Sequence, residues 1–199
     1  MTGISLLRMF WLSLCSMITL FYLFQLIAGR RWLSLSEAEN KVGYGLMALG
    51  MTFMLVPVGG LPSDLLRGNS VVFAVTALWW TCRLFVRKPL LALLLGKSGE
   101  CSTIQSDGIN VFMHGGMCYM FLLMSNMAFS MTQPATSVTC IFFVSFALLT
   151  FFSGREIAKD LQIARRDWRQ LGTTFAHALM NGMMCWMFLE MIAMTMSMR

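Results

Sequence analysis

Long apolar runs alternate with short polar segments along this chain, and six of the runs approach the length of a membrane-crossing helix. They cover residues 4–28, 41–60, 70–87, 110–131, 135–153 and 173–197. Strands of a membrane barrel would be shorter and would alternate apolar and polar positions, which these runs do not. We therefore predict an all-α, polytopic membrane protein with six transmembrane helices in one domain, residues 1–199.

The second, fourth and sixth runs share a further pattern, in which a tyrosine or histidine is followed by methionines three or four positions apart. The three sets are Tyr44, Met47, Met51 and Met54; His114, Met117, Met120, Met124 and Met127; and His177, Met180, Met184, Met187, Met191 and Met194. At about 100° per residue, nearly all of these side chains fall on one face of a helix. Each even-numbered helix is thus predicted to carry a row of thioethers, termed here its Met stripe.

Basic residues cluster after the odd-numbered runs, within residues 30–31, 83–97 and 155–169. Because Lys and Arg favour cytoplasmic connections, this placement predicts that the first, third and fifth connections are cytoplasmic and both termini external. The same alternation predicts three tandem helical hairpins, each pairing an odd helix with a Met-striped even helix. In this arrangement the three Met stripes run in parallel, and they meet if the hairpins share one axis.

Composition agrees with a membrane location, since 57% of the residues are hydrophobic and only 12% are charged. In a membrane protein, the placement of the basic residues behind the net charge of +6 indicates how the chain is oriented in the bilayer. The predicted partner is therefore the lipid bilayer and not nucleic acid. A second membrane protein or another copy of the chain is a further possible partner. No Walker loop, nucleophile elbow or HExxH motif occurs, so the sequence predicts no enzyme.

The Met stripes suggest a soft metal ion, because thioether sulfur and imidazole nitrogen suit Cu(I). Sulfurs one or two turns apart on one helix are roughly 5–10 Å apart along its axis, so a site must form between helices. His114 and Met117 would have to face His177 and Met180 at similar depth. The hypothesis is a protein that binds or conducts Cu(I), its one predicted cofactor, through Met47, Met51, His114, Met117, Met124, His177, Met180, Met184 and Met187.

Two other interpretations use the same residues. Methionine is an adaptable filler of irregular spaces, so the stripes would also suit a non-catalytic scaffold or accessory subunit that packs its helices or docks a partner helix. His114 and His177 would also serve as axial ligands of a b-type haem in an electron carrier, although a macrocycle needs room between the two rings.

Two charged residues lie inside predicted spans. Glu190 borders the Met stripe of the sixth helix, and a carboxylate within a span is commonly functional. Arg8 enters the first span at a similar depth from the same side, so the two charges would satisfy each other. We therefore predict a structural Arg8–Glu190 ion pair in preference to a transport role for Glu190.

The two His-x-x-Met segments read His114-Gly-Gly-Met117 and His177-Ala-Leu-Met180, and an earlier Met-rich stretch covers residues 45–54. With these segments the chain resembles the small polytopic membrane proteins of bacteria, abundant in actinobacteria, that are grouped as domain-of-unknown-function family 5134. The resemblance covers most of the chain. It implies a multi-pass protein of the bacterial cell (inner) membrane and implies no particular activity.

Overall fold

The computed structural model describes residues 2–29, 33–55, 62–88, 90, 104–125, 133–162 and 168–197. Within these ranges the regular structure is helical, which confirms the predicted all-α fold of six long helices. They are α1 (Thr2–Gly29), α2 (Leu35–Leu55), α3 (Ser63–Val86), α4 (Ile104–Ser125), α5 (Gln133–Gln162) and α6 (Trp168–Ser197).

Consecutive helices pack in pairs, α1 with α2, α3 with α4 and α5 with α6, so the three predicted hairpins are present. The first two hairpins form one compact unit, Met1–Met127, termed unit 1. The third hairpin belongs to a second compact unit, Ala128–Arg199, termed unit 2. Each unit is described below by itself, and the single domain expected from the sequence stays a prediction.

Five of the helices in the described ranges are long and apolar enough to cross a bilayer, which makes the chain a multi-pass membrane protein. Their apolar segments are Leu6–Gly29, Asp64–Val86, Asp107–Ser125, Ser137–Arg155 and Gly172–Ala193. α2 is not among them, because its first two turns carry Glu37, Glu39 and Lys41. The apolar residues 56–60 assigned to the second span lie outside the described residues. A crossing by α2 therefore stays a prediction.

Unit 1 exposes apolar side chains and buries several polar ones. Arg83, Asp107, Asn110 and His114 are all buried. Large side chains on α1 and α3 are exposed instead, among them Leu20, Phe24, Leu78 and Phe85. Lipid is the solvent that suits such an outer surface, since contiguous apolar faces of this extent are uncommon on soluble monomers.

Two glycines let α2 lie close to its neighbours in unit 1. A Cβ atom built on Gly43 would be 2.8 Å from Trp80 and 3.5 Å from the His114 ring. A Cβ on Gly50 would be 2.5 Å from the Phe73 ring and 2.8 Å from the Met117 methyl group. Because Gly43 lies beside His114 and Gly50 beside Met117, α2 and α4 run in the same direction, as the hairpin pattern predicts.

Unit 2 is built around stacked phenylalanines. The Phe142 and Phe188 rings are 5.5 Å apart between centroids and almost parallel, and Phe146 lies 5.6 Å from Phe188. Phe146 and Phe188 are fully buried between α5 and α6. A weaker polar contact joins the same helices, in which the Asn181 side-chain amide donates to the Ser153 hydroxyl at 3.4 Å.

Candidate functional site

A buried arginine joins three helices at the end of unit 1 where α3 ends and where α2 and α4 begin. The Arg83 side chain is 0% exposed. Its Nη1 donates to Glu39 Oε2 at 2.6 Å, its Nη2 donates to Ser36 Oγ at 2.7 Å, and its Nε lies 3.1 Å from Asp107 Oδ1. These four residues are termed the Arg83 cluster. One guanidinium therefore connects α2, α3 and α4.

The helices supply favourable positions for this cluster. Asp107 lies in the first turn of α4 and Arg83 in the last turn of α3, where the helix dipole favours a negative and a positive charge respectively. The guanidinium carbon also lies 4.8 Å from the centroid of the Trp80 ring, one turn earlier on α3. A planar guanidinium is suited to such a site, because it stacks on an aromatic ring while its N–H groups reach two carboxylates.

Asn110 and His114 follow Asp107 at intervals of three and four residues, so the three share one face of α4. His114 is fully buried, and its Nδ1 lies 2.8 Å from the Asn110 backbone carbonyl oxygen. A carbonyl only accepts hydrogen bonds, so this contact places a proton on Nδ1. The Gly43 backbone carbonyl also lies within reach of the imidazole, although Nε2 makes no hydrogen bond of good geometry to a described residue.

The His114 ring is enclosed by side chains of neighbouring helices. The ring centroids of Phe73 and Trp80, both on α3, each lie 6.0 Å from its own centroid. Gly43 of α2 lies against another edge of the imidazole. Gly43 therefore allows α2 to approach the imidazole closely, while Phe73 and Trp80 enclose the ring.

Beyond His114, the Met stripes of α2 and α4 both lie inside unit 1. Met47, Met51, Met54, Met117 and Met120 are all buried. Met113 is also buried, although the sequence pattern did not include it. Met124 is only partly buried, and Met127 lies outside the described residues. The predicted ligands Met47, Met51, His114 and Met117 thus share the interior of one unit.

The remaining predicted ligands and Glu190 belong to unit 2, whereas Arg8 belongs to unit 1. Met180, Met184 and Met187 are buried on α6, while His177 and Glu190 are partly buried. Since His114 lies in unit 1 and His177 in unit 2, the facing arrangement of the two His-x-x-Met segments stays a prediction. The Arg8–Glu190 ion pair stays a prediction for the same reason.

A metal site of the common kind is not found among the described residues, where no three His, Cys, Asp or Glu side chains form a ligand group. The described cysteines, Cys15, Cys82, Cys118, Cys140 and Cys185, form no disulfide with one another.

The sequence interpretation missed the Arg83 cluster. It counted Arg83 among the basic residues that follow a span, and it left Glu39, Asp107 and Asn110 unassigned. In the structure Arg83 lies within α3 and is buried. One signal was available, because Asp107, Asn110, His114 and Met117 are in helical phase, so the first carboxylate lies on the face that holds the Met stripe.

These features define the class of protein: an α-helical, multi-pass membrane protein with a buried column of polar groups and thioethers. The chain belongs to the family described as Domain of unknown function (DUF5134), whose family model matches residues 36–191. The match includes α2 from its second residue, all of α3, α4 and α5, and most of α6, and it confirms the resemblance noted from the sequence. No curated protein and no solved structure matches the chain.

Proposed function

We propose that this protein binds Cu(I) inside unit 1, between His114 and the Met stripes of α2 and α4, in the inner membrane of a bacterial cell. The observation that carries this proposal is the buried His114 imidazole, which lies in the same unit as the buried sulfurs of Met47, Met51 and Met117 and whose Nε2 makes no hydrogen bond of good geometry to a described residue. A metal ion is one ligand that would satisfy such a nitrogen.

The second ring nitrogen supports the same interpretation. Histidine ligands of metals commonly donate their other N–H to a backbone carbonyl, which fixes the tautomer and the ring orientation. His114 makes such a contact from Nδ1 to the Asn110 carbonyl oxygen. This contact supports the proposal, because it orients the ring as in a histidine that binds a metal.

Thioethers supply the remaining ligands. Met47 and Met51 of α2 and Met117 of α4 are fully buried in the same unit as His114. Methionine side chains have three rotatable bonds, so a sulfur can turn toward an ion without movement of the backbone. Uncharged sulfur ligands also bind Cu(I) without releasing protons, which favours reversible binding and stepwise conduction along the stripes.

A scaffold or accessory subunit is the second candidate, and a specific contact favours it. The Met117 methyl group occupies the space that Gly50 leaves open, beside the Phe73 ring. Packing alone accounts for this position, because methionine fills irregular spaces and interacts well with aromatic rings. Haem is not proposed, since Phe73, Trp80 and Gly43 already surround the His114 ring.

The test is anaerobic titration of the purified protein in detergent with Cu(I), in competition with a chromophoric chelator. We expect stoichiometric binding in the wild type and at least a tenfold loss of affinity in His114→Leu. The double variant Met47→Leu/Met51→Leu should also lose affinity while it keeps its helical circular dichroism spectrum, because Leu preserves the apolar volume. His177→Leu tests whether unit 2 contributes a ligand.

The matched control is Met17→Leu, since Met17 is an exposed methionine on α1. Its affinity should equal that of the wild type. The copper proposal is wrong if the wild type does not bind Cu(I) above the chelator background, or if His114→Leu binds as tightly as Met17→Leu. In either case the packing role of the Met stripes becomes the better explanation.

A further inference from the structure

Asn110 is the buried polar side chain of unit 1 whose hydrogen bonding is least satisfied. The residue is 1% exposed, and neither Oδ1 nor Nδ2 has a hydrogen-bond partner in the described part of the chain. Leaving such a buried group unpaired is energetically costly. Buried polar groups in native proteins are nearly always paired with protein or with ordered water. A partner beyond the described residues is therefore needed beside this amide.

The chemistry of the amide identifies the class of that ligand. Oδ1 accepts hydrogen bonds and Nδ2 donates them. A cation would satisfy only the oxygen, and an anion would satisfy only the nitrogen. Water both donates and accepts, so it satisfies the two groups together, and polar partners of this kind are what a buried water requires.

The side chains on either side of Asn110 indicate which groups such a water would connect. Side chains of a helix lean toward its N-terminus, so the Asn110 amide is directed toward Asp107 and the rest of the Arg83 cluster. His114 lies one turn further along the same face of α4. Beyond His114 the interior becomes apolar, because the Phe73 and Phe121 rings stack with centroids 5.5 Å apart and both are buried.

We propose that ordered water binds at Asn110 and links the Arg83 cluster to His114, so that unit 1 is hydrated from one end only. The water gives the imidazole a route for proton exchange with the end of the unit where α2 and α4 begin, and the aromatic stack closes the other side. The titratable and charged groups around this route are Glu39 and Tyr44 on α2, Arg83 on α3 and Asp107 on α4, while α1 contributes Tyr22 beside Tyr44. The inference does not depend on copper binding.

Water-edited solid-state NMR of the metal-free protein in liposomes tests this directly. Magnetisation transferred from water should reach the Asn110 side-chain amide several-fold faster than the Phe121 ring, which lies on the same helix beyond the aromatic stack. The Asn110→Leu variant assigns the signal by its loss and should slow the transfer to the His114 ring. The matched control is Met113→Leu, an equally buried position on α4 without a hydrogen-bonding amide, which should leave both transfers unchanged.

The wild-type spectrum alone decides the question, so the result does not depend on whether a variant folds. Transfer to the Asn110 amide that is as slow as transfer to the Phe121 ring would show a dry interior and would overturn the proposal. Equal and fast transfer to both residues would also overturn it, because the aromatic stack would then not close the route. Cu(I) titration of the same preparation reports separately on the copper proposal.

Discussion

Arg83→Met is the single substitution from which we expect the largest loss of stability in unit 1. It removes a guanidinium that lies against the Glu39 and Asp107 carboxylates, whose side chains are only 6% and 1% exposed. Methionine keeps most of the apolar volume of the arginine stem, so the change isolates the charge from the packing. The two carboxylates then remain buried without this cation.

The magnitude follows from the number of contacts. Removing one partner of a buried ion pair costs roughly 3–5 kcal/mol. Arg83 serves two carboxylates, donates to the Ser36 hydroxyl and stacks on Trp80, so we expect the upper end of that range. In a chain of this length each kcal/mol lowers the melting temperature by roughly 2–4 °C, which predicts a decrease of about 10–20 °C.

The assay is thermal unfolding in detergent, followed by far-ultraviolet circular dichroism. Arg67→Met is the matched control, because Arg67 is exposed on the same helix and its replacement should change stability by no more than about 0.5 kcal/mol. The triple variant Glu39→Leu/Arg83→Met/Asp107→Leu should recover most of the loss, since removal of all three charges also removes their desolvation cost. Equal melting temperatures for Arg83→Met and Arg67→Met would refute the buried cluster.

Two further predictions concern packing. Gly50→Ala should destabilise unit 1 by roughly 1–3 kcal/mol, because its Cβ would lie 2.5 Å from the buried Phe73 ring. Gly45→Ala is the control, since its Cβ would make only an ordinary 3.6 Å contact. This change should stabilise the helix by up to about 1 kcal/mol. Equal melting temperatures for Gly50→Ala and Gly45→Ala would contradict the close approach of Phe73 to Gly50. Phe146→Ala should cost unit 2 roughly 3–5 kcal/mol by opening a cavity among stacked rings. The same change at the exposed Phe152 should cost far less, and the comparison fails if thermal unfolding shows equal losses.

The helices were predictable because few backbone conformations are stable within a membrane. A segment in lipid must satisfy its own backbone hydrogen bonds, so length and hydropathy are enough to predict a helix. The hairpin pairing followed from the alternation of basic and Met-striped segments, and the packing of α1 with α2 and of α3 with α4 confirms it.

Two helices begin well before the apolar runs that they contain. The predicted spans start at about residue 41 in the second run and about residue 110 in the fourth. The structure begins α2 at Leu35 and α4 at Ile104. A buried carboxylate is tolerated within a helix when a cation pairs with it, and here Arg83 pairs with both Glu39 and Asp107. That partner is far away in sequence, so hydropathy alone does not reveal it.

The candidate site was predictable only in part for the same reason. Helical phase placed His114 and Met117 on one face, because a period of 3.6 residues is visible in a single segment. The tautomer of His114 depends on the Asn110 backbone carbonyl, and the enclosure of its ring depends on α2 and α3. Neither contact leaves a pattern within one segment.

The order of groups along unit 1 connects the proposed water at Asn110 with the proposed Cu(I) site at His114. A cation that enters from the end with the Arg83 cluster first passes the guanidinium with its two carboxylates and then an amide, whose hard oxygens hold a soft ion only weakly. His114 comes next, and the buried sulfurs of Met47, Met51 and Met117 follow. The charged groups of the Arg83 cluster would then determine how fast the ion enters, and the soft sulfur ligands would determine how tightly it is held. If Cu(I) is the ligand, Asn110→Leu should therefore slow its binding more than it lowers the affinity, whereas Met47→Leu/Met51→Leu should mainly lower the affinity.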